Sequence, residues 1–146
     1  MEYNFDLFVK AYNYAMVKHN GQFREDGVPY ITHPMTVAQM VGDNNYVKIV
    51  AILHDTLEDT NATMPELRDN FGEEIMNSVN LLSKKTTLPY EEYIQKIKVC
   101  GTKDEISVKI ADLKHNLSTI DNIKDESRRN KLKNRYEKAL TVLEEK

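Results

Sequence analysis

The sequence contains a single cysteine, Cys100, so an internal disulfide is excluded and the chain fits a reducing compartment. No run approaches the ~18 consecutive apolar residues that a membrane-spanning helix needs. The segment MEYNFDLFVK lacks both a basic stretch and an apolar core, so no signal peptide is expected and the expected location is the cytoplasm. Basic charge is not in excess either. The formal net charge of −3 gives no global field for a nucleic-acid backbone, and neither nucleic acid nor a membrane is expected as a partner. A small polyanion would have to meet a local cluster of Lys and Arg instead.

Glycine and proline are also scarce, at five and four among 146 residues, and strand signals are missing. Apolar residues at 40% and charged residues at 29% are ordinary for a folded domain of this length. What remains is helical spacing. Leu7, Ala11, Tyr14 and Ala15 share one face of an opening helix that runs to about His19. Gly21, Gly27 and Pro29 mark a loop, and Pro34 suits the first turn of a helix beginning beside His33, with Met35, Val37, Ala38 and Val41 inward. Val47 to Leu57 is apolar almost all round and reads as one buried central helix. Thr63-Met64-Pro65-Glu66 is a capping box that starts a helix stopped by Phe71-Gly72. Further helices are expected over Glu73 to Leu82, Tyr90 to Cys100, Ile106 to Ile120 and Glu126 to Glu145. The fold class is all-α, in one domain over 1–146.

Four histidines and ten aspartates give about 0.3 His-Asp dipeptides by chance, so His54-Asp55 alone says little. The acids after it say more. Glu58 follows His54 by four residues and Asp55 by three, and Asp59 follows Asp55 by four, which on a helix gathers them on neighbouring faces. Carboxylates at the end of so apolar a segment are costly unless paired or bound to a cation. Spacing alone leaves two readings open, a solvated helix end or a site.

Four blocks together resemble a known family: GQFREDGVPYITHPMTVA (21–38), AILHDTLEDT (51–60), ELRDNFGEEI (66–75) and VKIADLKHNL (108–117). In this order they are similar to the HD phosphohydrolases, and within them to the hydrolase domain of RelA/SpoT homologues and the small alarmone hydrolases. The resemblance implies an HD-type helical bundle and a divalent ion on His33, His54, Asp55 and Asp112. Two imidazoles with two carboxylates suit Mn²⁺, Fe²⁺ or Zn²⁺ better than Mg²⁺ or Ca²⁺, and the family likeness favours Mn²⁺. Glu58 and Asp59 match the acidic pair that positions and deprotonates an attacking water. Arg24 matches an arginine able to stack on a purine. Asn116 would reach ribose or phosphate, Lys84 a diphosphate, and Tyr136 the nucleotide.

The implied activity is removal of the 3′-diphosphate from guanosine alarmones of the ppGpp type, a small-molecule nucleotide substrate. Alternatives are another nucleotide (a nucleoside monophosphate, a dNTP or NADPH) or a catalytically silent nucleotide sensor. Departures from the family motivate the first alternative: Glu25 after Arg24, Tyr90 where short relatives have lysine, and Leu132 where they have arginine. Arg128, Arg129, Lys131, Lys133 and Arg135 offer a local positive field or a solvated helix face. His19 and His115 are expected to be surface or packing histidines. No synthetase domain is expected, and the sequence leaves the oligomeric state open.

Overall fold

The computed structural model describes residues 2–145; Met1 and Lys146, the two ends of the expected domain, lie outside the described residues. All regular structure among the described residues is helical: α1 (Phe5–Lys18), α2 (Thr32–Met40), α3 (Asn45–Leu53), α4 (Thr56–Asp59), α5 (Met64–Phe71), α6 (Glu73–Leu82), α7 (Tyr90–Cys100), α8 (Lys103–Ser118) and α9 (Glu126–Glu144), with a 3₁₀ turn at Ile120–Asn122. Among them, no helix is long and apolar enough to cross a membrane.

Helix α3 is the centre because it is apolar on nearly every face. Ile49, Ile52 and Leu53 are fully buried, and α1, α2, α6 and α8 pack around it. Helix α9 closes the far side against α7 and α8. The helix starts follow local chemistry. Asn4, Asn44, Thr63 and Asp125 each accept a first-turn amide through the side chain. Gly72, at φ 93°, makes the sharp exit from α5 that a side-chain-bearing residue resists.

The structure corrects three expectations. The central helix ends at Leu53 rather than Leu57, and the chain resumes helix only at Thr56. Side chains make this break: Thr56 Oγ1 donates to the Leu53 carbonyl at 2.7 Å and His54 Nδ1 lies 2.6 Å from the Ala51 carbonyl. Helix α8 begins at Lys103, three residues before Ile106, under a full capping box of Thr102 and Glu105. The same helix ends at Ser118 rather than Ile120. The α1–α2 loop is more ordered than its glycines suggested. Phe23 and Pro29 form an antiparallel bridge, with Arg24 N–H donating to Val28 at 2.8 Å and Tyr30 N–H to Gln22 at 2.8 Å. Gly27, at φ 88°, turns this small hairpin, which carries Arg24 to Asn116 near the end of α8 and Tyr30 to Asp55 in the break after α3.

Candidate metal centre

Three separate pieces of chain converge beneath that hairpin. α2 contributes His33 from its first turn, the break after α3 contributes His54 and Asp55, and the middle of α8 contributes Asp112. One ligand atom from each of the four lies within 4.8 Å of every other. His33 Nε2 is 2.7 Å from Asp112 Oδ1, and His54 Nε2 is 3.3 Å from the same oxygen and 3.2 Å from Asp55 Oδ2. His33, His54 and Asp112 are buried and Asp55 half-buried.

This donor set fits a divalent transition ion, and the hydrogen bonds behind it decide which atoms face inward. With His54 Nδ1–H given to the Ala51 carbonyl, Nε2 is left as the ligand atom. His33 Nδ1 sits 2.7 Å from Nδ1 of His115, whose ring stacks on it at 4.9 Å, so a proton shared there likewise leaves His33 Nε2 facing the cluster. Tyr30 donates its hydroxyl to Asp55 Oδ2 at 2.7 Å. Lys109 donates to Asp112 Oδ2 at 2.7 Å.

Electrostatics are strongly tuned. Burial alone would raise both ligand carboxyls, but His54 beside Asp55 and Lys109 beside Asp112 outweigh it and hold both below the usual carboxylate range. Burial opposes charge on His54, yet Asp55 and Asp112 bring it well above the ordinary imidazole value. Burial, His33 and Arg24 together push His115 down to about 4. Opposed charges of this density in a buried place are the setting in which a cation is gained at least cost.

Glu58 and Asp59 lie on α4 at the rim, both reaching solvent. Glu58 Oε1 accepts the Lys84 backbone N–H at 2.6 Å, which fixes it beside the cluster. Partial desolvation raises Glu58; desolvation with the charges of Asp55 and Glu58 pushes Asp59 up to about 7. Lys84 is therefore present through its backbone. Its ammonium turns instead to the Lys85 carbonyl at 3.1 Å, away from the diphosphate contact expected of it.

Beside the cluster opens a cavity of about 250 Å³. Arg24, Tyr30, Asn116, Leu132 and Tyr136 all line it, so three of the four residues expected to meet a nucleotide share one wall. Arg24 donates to Asn116 Oδ1 at 3.2 Å and to Thr119 Oγ1 at 3.0 Å. The basic run does not act as one field. Arg128 lines the cavity but pairs with Glu25, Arg129 turns to the Ile123 carbonyl, and Arg135 lies 4.9 Å over the ring of Tyr90 in a separate groove between α7 and α9.

Residues behind the ligands escaped the sequence reading. Lys109 interrupts an apolar stretch three residues before Asp112, a spacing that could have drawn notice. His115 and Tyr30 gave no such signal. His19 is a packing histidine, as expected, buried with Nδ1 2.8 Å from Gln22 Oε1.

The chain is similar to several known proteins. A family model described as HD domain matches residues 11–138. A guanosine-3′,5′-bis(diphosphate) 3′-pyrophosphohydrolase of Spiroplasma citri is 40% identical over 129 residues, covering 80% of this chain and 17% of that protein. A GTP pyrophosphokinase of Myxococcus xanthus is 37% identical over 136 residues, covering 83% of this chain and 18% of its own length. The chain thus spans less than a fifth of these curated relatives. Among solved structures, a metazoan ortholog of SpoT described as hydrolysing ppGpp superposes with a TM-score of 0.86 at 22% identity, covering 99% of this chain and 89% of that one. A protein from Listeria monocytogenes superposes at 0.61 with 26% identity, covering 78% of this chain and 82% of its own.

Proposed function

The chain belongs to the HD domain family, and from that premise we propose that it is a single HD unit acting as a Mn²⁺-dependent hydrolase that removes the 3′-diphosphate of ppGpp-type alarmones. One observation carries this reading: Asn116 touches both halves of the site. Its amide donates to Asp112 Oδ1 at 3.3 Å while its carbonyl oxygen accepts from Arg24 at 3.2 Å. A nucleoside seated against Arg24 and Tyr136 would therefore present its 3′ substituent to His33, His54, Asp55 and Asp112.

A bound divalent ion supplies Lewis acidity, screening phosphate charge and acidifying water. The chain does the rest. Glu58 and Asp59 stand at the rim to take the proton of the attacking water, and raised carboxyl pKa values suit a base working near neutrality. Attack at the phosphorus on the 3′ oxygen forms one P–O bond and breaks another. Pyrophosphate leaves, and the 3′ oxygen of GDP or GTP recovers a proton. The Spiroplasma citri relative bears the name of this activity, which supports the reading.

The ion pair of Arg128 with Glu25 and the apolar Leu132 in the cavity wall favour a second reading, another nucleotide carrying fewer phosphates. Purified protein incubated with ppGpp and Mn²⁺ should release pyrophosphate and GDP. Glu58→Gln should lose turnover by about 10²-fold or more, the scale of general-base catalysis, while still binding nucleotide. Turnover of other nucleotides with ppGpp untouched would move the assignment to the second reading. Binding without hydrolysis of anything would make the protein a sensor.

A further inference from the structure

Lys109 is a buried charge for which the reaction above has no use. It lies on α8, one turn before Asp112 and 9% exposed, with its ammonium 5.2 Å from the ring centre of Tyr93. Tyr93 is itself fixed, because its hydroxyl donates to the Leu82 carbonyl. The lysine is thus held by an aromatic face on one side and by a carboxylate on the other. At longer range its charge also acts on Glu58 at the rim and on Tyr136 in the cavity wall.

The two oxygens of Asp112 are divided. Oδ1 faces the imidazoles, 2.7 Å from His33 Nε2 and 3.3 Å from His54 Nε2, and accepts from Asn116. Oδ2 receives Lys109 at 2.7 Å. A carboxylate can offer an ion one oxygen or both, and the group on its far oxygen decides which. We propose that Lys109 is a positioning residue that reserves Oδ2, so that Asp112 gives an ion one oxygen and coordination positions stay open for water and phosphate. This rests on the metal-site reading above but not on the identity of the nucleotide.

A second consequence follows from charge. A fixed cation one carboxylate away repels an incoming dication, since Coulomb repulsion over a few ångströms in a buried place is poorly screened. Lys109 therefore weakens metal binding while keeping the bound ion accessible. An ordinary structural ion pair would do the reverse, because its loss would loosen Asp112 and weaken the ion with it.

The test compares Lys109→Met, which keeps the stem against Tyr93 and drops the charge, with Lys109→Arg, which keeps it. Calorimetric Mn²⁺ titration should find Lys109→Met binding roughly tenfold tighter, the order by which groups behind a ligand change metal affinity. Water-proton relaxation by the bound Mn²⁺ should fall, because Asp112 now occupies a position that water held. Turnover of ppGpp should drop about 10- to 100-fold without a matching rise in KM, and Lys109→Arg should restore affinity and relaxation towards wild type. Unchanged affinity and relaxation in Lys109→Met would overturn the proposal, as would an affinity that falls along with the melting temperature of the ion-free protein. Wild-type protein that takes up no Mn²⁺ would remove the metal reading and this inference together, whereas failure on ppGpp alone leaves the metal measurements decisive.

Discussion

Asp59 stands near two other carboxylates, Asp55 and Glu58, and partial desolvation adds to their repulsion, so it keeps its proton up to about 7. In the unfolded chain an aspartate releases its proton near 3.9. Between these values the folded state binds a proton that the unfolded state has lost, so this group makes stability fall as pH rises through the window. Asp59→Asn replaces the acid with a neutral group of the same shape and removes that fall. The variant should match wild type at pH 4 and exceed it at pH 8 by about 1 kcal/mol, well below what the full shift implies because the carboxylate reaches solvent. Denaturant melts in chelator at both pH values measure this. An equal difference at the two would show that charge is not the cause. The same substitution should slow hydrolysis, since a group ionising near neutrality is matched to proton removal. The pattern, stability gained and activity lost by one change, separates a functional carboxylate from a merely solvated one.

The break between α3 and α4 sets where Asp55 points, and it depends on Thr56, which is fully buried with its hydroxyl on the Leu53 carbonyl. Thr56→Val keeps the shape and deprives that carbonyl of its donor, a loss of about 1–3 kcal/mol. It should also weaken Mn²⁺ binding. Thr102→Ala, at the capping box of α8, should cost about 1 kcal/mol with metal affinity unchanged, because the cap lies far along the helix from Asp112. Calorimetry with thermal melts reads both, and an equal loss of affinity in the two variants would refute the role given to the break. The sequence was readable where a residue's own chemistry bounds a helix: Gly72 after α5 and Pro34 in the first turn of α2. It was not readable at 54–55, where apolar periodicity runs on to Leu57 and the interruption comes from side chains capturing carbonyls. It missed Thr102 for a similar reason, as polar residues ahead of Ile106 carry no periodic signal.

Across the whole molecule, the cluster of His33, His54, Asp55 and Asp112 ties together α2, the end of α3 and α8, segments separated by up to 79 positions in the chain. The resemblance of short motifs in a distinctive order singled out His33, His54, Asp55 and Asp112, and the structure brings these four together. His115 and Tyr30 were not singled out, since their roles exist only once α2, α8 and the loop hairpin have met, and Lys109 was marked only by its spacing to Asp112. The same convergence would make a bound ion a stabiliser of the entire fold. Asp55 and Asp112 raise His54 well above the ordinary imidazole value, which is the pull that a dication would meet there. An ion that binds the folded chain alone adds about 2.7 kcal/mol when present at 100 times its dissociation constant. For a chain of this length that corresponds to a rise in melting temperature of about 5–10 °C. EDTA should reverse it. Asp112→Asn should melt lower to begin with, since Lys109 loses its counter-charge, so the comparison is the rise within each variant: Mn²⁺ should lift wild type and leave Asp112→Asn where it was. An equal rise in both would place the ion elsewhere on the surface. A wild type indifferent to Mn²⁺, Fe²⁺ and Zn²⁺ would mean that the convergence of these helices serves packing and not catalysis.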